Sequence, residues 1–272
     1  MTSEEDTTVS PEGETIQEAW RIDAVIFDMD GVVTRTASVH STAWKRMFDE
    51  FLQSHATAKD EPFRAFDHPR DYLTYVDGRP RYLGVEAFLA SRGITLPFGT
   101  PDDASGFETI CALGNRKNSL FNEIIETDGV GLYDSTIGLI HQLRKRGIRV
   151  GLATSSRNSA LILEKTGTAS LFETVVDGLV SEKLGLKGKP EPDIFTTACD
   201  QLCVDYARSI VVEDAVSGVQ AGASGGFALT VGLAREDNER ELREVGADLV
   251  VTDLAETSLE ELNARAFEGI NK

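Results

Sequence analysis

Two aspartates with one residue between them follow the first strongly apolar segment of the sequence. Ala24–Phe27 is an unbroken apolar run, followed by Asp28, Asp30 and then Gly31. If the extended geometry continued, the period-two alternation of a strand would aim both carboxylates at one point. Two close carboxylates repel each other unless they share a cation or a proton, and Mg²⁺ with its preference for oxygen ligands would satisfy them. An Asp-Gly turn that ends a strand explains the same residues, so this stretch alone leaves both interpretations open.

Three later segments end in residues whose side chains bind phosphate or cations. One apolar run ends in three hydroxyl residues, a lysine stands directly before a proline, and another apolar run ends in two adjacent acids. Each feature alone has a common structural explanation: a helix cap, a solvated surface charge or a strand end. All of them in this order on successive strand ends favour one phosphate-binding site. The residues are Thr154, Ser155, Ser156, Lys189, Glu213 and Asp214.

Short apolar, β-branched segments alternate with helical patterns over most of the chain. Helices are predicted at residues 134–147, 193–202 and 214–225. This alternation predicts an α/β fold with a Rossmann-like parallel sheet covered by helices on both faces, and such sheets bind ligands at the carboxyl ends of their strands. The strands are predicted at residues 24–28, 149–154, 174–178, 209–214, 227–233 and 248–253.

Residues 36–127 interrupt the alternation. They contain almost no β-rich run, and their first segment repeats apolar residues at helical intervals, as at Trp44, Phe48 and Phe51. We therefore expect a small α-helical cap domain inserted after the first strand, above the two aspartates. The core domain would comprise residues 21–35 and 128–272. Residues 1–20 contain six acids and no Lys or Arg, which predicts a disordered acidic tail.

Composition narrows the classes of partner. The net charge of −18 over 272 residues makes nucleic acid an improbable ligand, because phosphate backbones require a basic surface. No apolar run of 18 residues and no signal-peptide pattern is present, so we expect a cytoplasmic protein without a membrane partner. The cysteines Cys111, Cys199 and Cys203 are expected to be small buried hydrophobes rather than metal ligands or disulfide partners. We expect a monomer.

The four motifs together resemble those of the haloacid dehalogenase (HAD) superfamily: an Asp-x-Asp pair, a Ser or Thr, a Lys, and a terminal acidic pair. Within that superfamily the chain is similar to the β-phosphoglucomutase branch, which carries a small helical cap after the first motif. The resemblance implies that Asp28 is the nucleophile that becomes an aspartyl-phosphate and that Asp30 is the general acid and base. Thr154 and Lys189 would hold the phosphoryl oxygens.

The resemblance also implies one cofactor and a set of substrate contacts. Mg²⁺ would be bound by Asp28, by the backbone carbonyl of Asp30 and by Asp214, with Glu213 close by. Some of the implied substrate contacts have another explanation: Trp44 could face the core, and Arg81 and Lys117 could be solvated basic residues. Arg35 departs from the family pattern, because an acid is common there, and the charge balance of the pocket is expected to differ. The implied substrate-binding residues are Thr36, His40, Trp44, Gly78, Arg81, Lys117, Ser155 and Asn158.

Four functions fit these residues to different degrees. The first is a Mg²⁺-dependent β-phosphoglucomutase, which converts β-glucose 1-phosphate to glucose 6-phosphate through a bisphosphorylated sugar. The second is a sugar-phosphate phosphatase with the same nucleophile. A dehalogenase would need neither Asp30 nor the acidic pair, and a catalytically silent binding protein would be expected to have a broken motif. The sequence leaves the identity of the sugar and the balance between transfer and hydrolysis open.

Overall fold

A computed structural model of the chain describes residues 20–77 and 79–268. All of the predicted acidic tail except Trp20 lies outside the described residues, and so does Gly78. The division of the chain into a core and an inserted domain stays a prediction. We use "cap" below for residues 36–127 and "core" for residues 21–35 and 128–268. In the described part of the chain, no helix is long and apolar enough to cross a bilayer.

A six-stranded parallel sheet forms the centre of the core. The strand order is β3-β2-β1-β4-β5-β6, and every pairing is parallel. The predicted α/β fold is therefore confirmed, and a strand occurs in each of the six predicted segments. Both faces of the sheet are covered, which is why its strands are continuous apolar runs rather than alternating ones. The strands are β1 (Ala24–Phe27), β2 (Arg149–Ala153), β3 (Thr174–Val176), β4 (Ser209–Glu213), β5 (Leu229–Leu233) and β6 (Leu249–Val251).

Helices occupy the predicted segments with small shifts at their ends. The third predicted helix begins two residues late, at Val216, because Ala215 is extended and its N–H donates 2.6 Å to the Glu213 carboxylate. The described helices are α1 (Ala37–Lys59), α2 (Leu73–Tyr75), α3 (Arg81–Ser91), α4 (Ile110–Asp128), α5 (Asp134–Lys145), α6 (Ser159–Thr166), α7 (Gly178–Leu184), α8 (Asp193–Leu202), α9 (Val216–Ser224), α10 (Glu239–Glu244) and α11 (Leu259–Glu268), with a π-helical turn at His68–Tyr72 and 3-10 turns at Ala169–Leu171, Tyr206–Arg208 and Leu254–Glu256.

Aromatic packing holds the helices of the cap together. Phe48 of α1 stacks on Trp44 at 5.4 Å and on Phe66 at 4.9 Å, measured between ring centroids. It also contacts Phe88 of α3 at 4.2 Å. These rings are buried, and each contributes a large apolar area together with a preferred ring geometry. The apolar residues predicted to lie on one face of the first cap helix thus form the interior of the cap.

One expectation about the cysteines is wrong. Cys111 and Cys199 are buried, but Cys203 is exposed. Cys203 follows the last residue of α8 in the left-handed conformation, with φ of 55°, and this turn directs it away from the apolar face of that helix. All three cysteines are free thiols, as expected.

Two chain segments connect the cap to the core, side by side. The Arg35 N–H donates 2.8 Å to the Gly131 carbonyl, and the Tyr133 N–H donates 3.1 Å to the Val33 carbonyl. Thr34 pairs with Leu132 in an antiparallel bridge. Because the two segments are hydrogen-bonded to each other, they form a short ribbon that positions the cap over the sheet.

Arg35 belongs to this ribbon and does not line the cavity described below. Its side chain is exposed, its Nε donates 3.1 Å to the Leu132 carbonyl, and its guanidinium lies 4.3 Å from the centre of the Tyr133 ring. The Arg235 guanidinium lies 3.8 Å from the same ring. The expectation that Arg35 alters the charge balance of the pocket is therefore not supported by its position. Arg35 instead stabilises the connection between core and cap.

We expect Arg35→Ala to lower the free energy of unfolding by about 1 kcal/mol, the contribution of a partly exposed cation–π contact and one hydrogen bond. The Michaelis constant for the substrate should stay unchanged, because Arg35 is outside the cavity. Urea denaturation and steady-state kinetics measure the two quantities. Arg240→Ala removes another exposed arginine, on α10, and is the matched control. A large rise in the Michaelis constant for Arg35→Ala alone would contradict this assignment.

Candidate active site

A cavity lies between the carboxyl ends of the strands and the cap. Asp28 and Asp30 after β1, the hydroxyl segment after β2 and the acidic pair at the end of β4 border it from below. The cap closes it from above. Thirteen of the predicted site residues line the cavity: Asp28, Asp30, His40, Trp44, Arg81, Lys117, Thr154, Ser155, Ser156, Asn158, Lys189, Glu213 and Asp214.

The turn after β1 brings the two aspartates into the same cavity. β1 ends at Phe27, so continued strand alternation is not the reason that both carboxylates face it. The N–H groups of Val33 and Thr34 both donate to the Met29 carbonyl, which folds the chain back on itself. Gly31 has a φ of 81°, and a Cβ atom there would lie 1.7 Å from Oδ2 of Asp214. Glycine is therefore required at this position for both its conformation and its size.

Lys189 lies between two buried carboxylates. Its Nζ is 2.6 Å from Oδ1 of Asp28 and 2.5 Å from Oε1 of Glu213. Burial disfavours the charged lysine, but the two carboxylates overcome this effect and raise its pKa. Burial and the neighbouring carboxylates of Glu213 and Asp30 raise the pKa of Asp28 well above its usual value, although Lys189 opposes this. The ammonium group is thus fixed next to the proposed nucleophile.

Asp30 is held from the side of the cap. Burial raises its pKa, but His40, the hydrogen bond from the Thr36 hydroxyl, and Lys117 together hold that pKa below its usual value. The His40 Nε2 atom lies 3.2 Å from Oδ1 of Asp30. Thr36 precedes α1 and does not line the cavity, but it contacts Asp30 directly. The proposed acid–base residue of the core is therefore oriented by residues of the cap.

Lys117 is buried, His40 is half-buried, and the two side chains are bonded to each other. The Lys117 ammonium donates 2.5 Å to Nδ1 of His40 and lies 5.1 Å from the centre of the Trp44 ring. Burial and the nearby Arg81 lower the pKa of Lys117 well below its usual value. Burial and Lys117 lower the pKa of His40, so its neutral form accepts this hydrogen bond. Trp44 both lines the cavity and stacks inside the cap, which combines the two explanations considered for it.

A second polar cluster lies where the cap meets the loop after β2. The Asn118 side-chain oxygen accepts one hydrogen bond from Arg81 at 2.7 Å and another from Asn158 at 2.8 Å. Arg157 also lines the cavity and pairs with Glu182 of α7 at 2.5 Å. Arg81 and Asn118 belong to the cap, whereas Asn158 belongs to the core. This cluster supplies cationic side chains apart from Lys189.

Asp28, Asp30 and Asp214, the residues that the resemblance implies as Mg²⁺ ligands, all line the cavity. Among residues 20–77 and 79–268, no three His, Cys, Asp or Glu side chains form a ready-made metal cage. The implied site needs only two carboxylates and a backbone carbonyl, with phosphate and water completing the oxygen ligands. Burial, Glu213 and Asp77 raise the pKa of Asp214 well above its usual value. A cation bound by Asp28 and Asp214 would remove this repulsion.

Asp214→Asn is expected to stabilise the metal-free protein while abolishing its stabilisation by Mg²⁺. When folding raises the pKa of a carboxyl group, the group lowers the stability of the protein at every pH above its unfolded-state pKa of 3.8. This loss of stability grows as the pH rises toward the folded-state pKa. We expect a rise in the melting temperature of roughly 2–4 °C, the shift that about 1 kcal/mol produces in a protein of this size. The difference from wild type should grow with pH.

Thermal scans with and without Mg²⁺ between pH 5 and pH 8 measure this prediction. Asp248→Asn, which changes an aspartate far from the cavity that accepts a backbone hydrogen bond from Thr230, controls for general loss of charge. Equal stabilisation of wild type and Asp214→Asn by Mg²⁺ would show that Asp214 is no metal ligand.

Several residues of the site are absent from the sequence-based predictions. Asp77 is the most informative: burial and the nearby Glu213 raise its pKa to about 7, although a hydrogen bond with Tyr72 opposes this. It lies in the segment "VDGRPR", in which the closely spaced charged residues indicate a functional role. Tyr72 and Val76 carry no signal of their own, since aromatic and apolar residues at helical spacing resemble core. The residues missed are Tyr72, Val76, Asp77, Arg79, Asn118, Arg157 and Ala215.

Comparison with known proteins decides the family. The family model "haloacid dehalogenase-like hydrolase" matches residues 22–226, three quarters of the chain. The chain belongs to the haloacid dehalogenase-like hydrolases. The β-phosphoglucomutase of Mycobacterium bovis is 42% identical over 239 residues, 87% of this chain and 91% of that protein. The β-phosphoglucomutase of Bacillus subtilis is 33% identical over 242 residues, 88% and 93% of the two chains.

A solved structure shows the same fold at lower identity. The β-phosphoglucomutase of Clostridium difficile superposes with a TM-score of 0.70 at 23% identity, and the match covers 92% of this chain and all of that one. The HAD fold is therefore confirmed by sequence and by structure. This HAD protein is an enzyme, a phosphomutase or a phosphatase, as the names of its relatives and the intact motifs of its cavity agree. The two other functions considered, a dehalogenase and a catalytically silent binding protein, do not agree with these relatives.

Proposed function

We propose that this enzyme is a Mg²⁺-dependent β-phosphoglucomutase, which converts β-glucose 1-phosphate to glucose 6-phosphate through an aspartyl-phosphate at Asp28. The observation that carries the proposal is the second basic cluster of the cavity. Arg81 and Lys117 of the cap line the same cavity as Asp28 but are separate from Lys189. A mutase must hold two phosphates at once, one at the nucleophile and one at the far end of the sugar. A phosphatase needs only the first.

The residues near Asp28 fit the transfer of the first phosphate. An oxygen of Asp28 would bond to phosphorus while the bond from phosphorus to the sugar oxygen breaks. The Lys189 ammonium and the Thr154 hydroxyl would offset the charge on the phosphoryl oxygens. Lys189 already contacts Asp28 at 2.6 Å, so little reorganisation is required. Mg²⁺, when bound by Asp28, the Asp30 carbonyl and Asp214, supplies further neutralisation of that charge.

Asp30 would move the protons of both half-reactions. In the first it donates a proton to the sugar oxygen that leaves phosphorus, and in the second it removes the proton of the sugar hydroxyl that attacks the aspartyl-phosphate. Thr36 and His40 contact Asp30 from the cap, so its orientation depends on the cap being closed. This dependence favours a sugar hydroxyl over water as acceptor, because the closed cap restricts access to the aspartyl-phosphate.

The far phosphate would bind among Arg81, Lys117 and Asn158. Arg81 is largely buried and bonded to Asn118, which holds its planar guanidinium in a fixed direction. Burial lowers the pKa of Lys117, and a phosphate dianion would counteract burial and favour the charged ammonium. The distal phosphate thus supplies the negative charge that this basic cluster lacks.

The test is a product analysis. The enzyme is incubated with Mg²⁺, β-glucose 1-phosphate and a trace of glucose 1,6-bisphosphate, and glucose 6-phosphate is measured against inorganic phosphate. We expect glucose 6-phosphate to exceed free phosphate by at least about 100-fold, a preference of roughly 3 kcal/mol for the sugar over water. Release of phosphate without glucose 6-phosphate would identify the enzyme as a sugar-phosphate phosphatase and reject the mutase.

A further inference from the structure

A second cavity opens beside the catalytic one, at the seam between cap and core. Its volume is about 250 Å³, and we call it the side cleft. Tyr82, Leu83 and Phe98 of the cap form one wall, and Leu186 and Ile194 of the core form the other. The catalytic residues Asp28 and Asp30 are not part of it. The cleft is therefore a distinct feature, and its chemistry differs from that of the catalytic cavity.

The cap wall of the side cleft is apolar, aromatic and accessible. Phe98 is 46% exposed and Leu83 is 48% exposed, which is unusual for large apolar side chains. The Tyr82 ring meets the Phe98 ring edge-on, with 6.5 Å between centroids. The Tyr82 hydroxyl donates 2.9 Å to the Asn115 side chain, so the position of its ring is fixed. Flat apolar side chains of this kind pack against the face of a ring in a ligand.

Three residues are shared by the side cleft and the catalytic cavity. They are Arg81, Ser155 and Arg157, which line both. Two of the three are arginines, and Arg81 is held by its hydrogen bond to Asn118. Arg157 forms an ion pair with Glu182, and about a quarter of its side chain is exposed. The side cleft therefore begins where the far end of the substrate would lie in the proposed function.

We propose that the side cleft binds a ring attached to C1 of a hexose 6-phosphate, so that the enzyme also accepts phosphorylated glycosides as ligands. This proposal rests on the proposed function for the position of the hexose. When the 6-phosphate lies at Asp28, C1 points toward Arg81, where a bisphosphate carries its second phosphate. A glycoside has a second ring there instead. That ring is uncharged and has an apolar face, as the walls formed by Tyr82, Leu83 and Phe98 require.

Two synthetic ligands isolate the contribution of the ring. Phenyl β-glucoside 6-phosphate and methyl β-glucoside 6-phosphate share the phosphate and the hexose, and differ only in the group on C1. Their dissociation constants are measured by calorimetry on Asp28→Asn, which prevents turnover, in the presence of Mg²⁺. We expect the phenyl glycoside to bind at least about tenfold more tightly, since its ring leaves water for an apolar wall. Equal affinities, or no binding of the phenyl glycoside, would overturn the proposal.

Substitutions in the cleft wall locate the effect. Leu83→Ser and Phe98→Ser, each combined with Asp28→Asn, should weaken binding of the phenyl glycoside at least about fivefold and leave the methyl glycoside unchanged. Leu184→Ser is the matched control, because Leu184 is also exposed, at 54%, but lies on α7 outside the cleft wall. A loss shared by both glycosides would mean that the ring is bound elsewhere. If the mutase assay failed but the phenyl glycoside still bound more tightly than the methyl glycoside, the proposed function would be rejected. The assignment of the side cleft as a ring-binding site would stand.

Discussion

Asp28→Asn is expected to lower kcat by about 10⁵-fold. This loss is similar in size to that caused by substituting the nucleophile of another enzyme that forms a covalent intermediate. An amide nitrogen and oxygen have nearly the shape of a carboxylate, but the amide has no anionic oxygen to bond to phosphorus. The aspartyl-phosphate therefore cannot form. Because Asp28 is the residue on which every step of the proposed mechanism depends, no other single substitution should reduce activity further.

The structure provides a way to separate lost chemistry from lost folding. Asp28 contacts Lys189, which also contacts Glu213, so the lysine keeps one carboxylate partner in Asp28→Asn. We expect the variant to remain folded, as measured by circular dichroism and thermal scans. Asp102→Asn, an exposed aspartate of the cap, should retain wild-type kcat. Turnover by Asp28→Asn within tenfold of wild type would refute the covalent mechanism.

Lys189→Met is expected to lower the free energy of unfolding by about 3–5 kcal/mol, the cost of breaking a buried ion pair by removing one partner. Methionine fills a similar volume, so the loss arises from charge rather than from a cavity. The carboxylates of Asp28 and Glu213 would remain buried without a cation between them. The same substitution should also lower turnover, by no more than Asp28→Asn does, since Lys189 contacts the proposed nucleophile.

The stability lost in Lys189→Met depends on pH, because folding raises the pKa of Asp28. Without Lys189 the folded-state pKa of Asp28, already raised, rises further. The folded variant then binds more protons than the unfolded chain, so its stability falls as pH rises above the unfolded value of 3.8. The difference between wild type and Lys189→Met should therefore be larger at pH 7 than at pH 5. Urea denaturation at both values, without metal, measures it.

A second substitution tests whether charge is the cause. Glu213→Gln combined with Lys189→Met removes one of the two unpaired carboxylates, so the double variant should recover part of the lost stability. Lys183→Met, which changes an exposed lysine of α7, should have an effect below about 0.5 kcal/mol. If Lys189→Met were no more destabilising than Lys183→Met, the buried ion pair would not contribute to stability.

The sheet and most of the residues at its carboxyl edge follow from patterns in the amino-acid sequence. Each strand is largely apolar, and largely apolar runs separated by helical patterns favour a buried parallel sheet. Asp28, Thr154 and Asp214 then had to lie near one another, because parallel strands end at the same edge. Lys189 follows helix α7 rather than a strand, so its contact with Asp28 is not explained by strand ends. The segment 36–127 was likewise readable as helical from the spacing of its apolar residues. These features depend on local patterns of apolar and polar residues along the sequence.

The contacts between cap and core could not be predicted from sequence patterns. Asn118 links Arg81 to Asn158 across that seam, and nothing in its local sequence distinguishes it from a surface residue. Arg35 was expected to affect the pocket, yet it stacks on Tyr133 in the connecting ribbon. Such contacts join residues about 40 to 100 positions apart. They follow from the orientation of two packed units, which depends on three-dimensional complementarity rather than on residue periodicity.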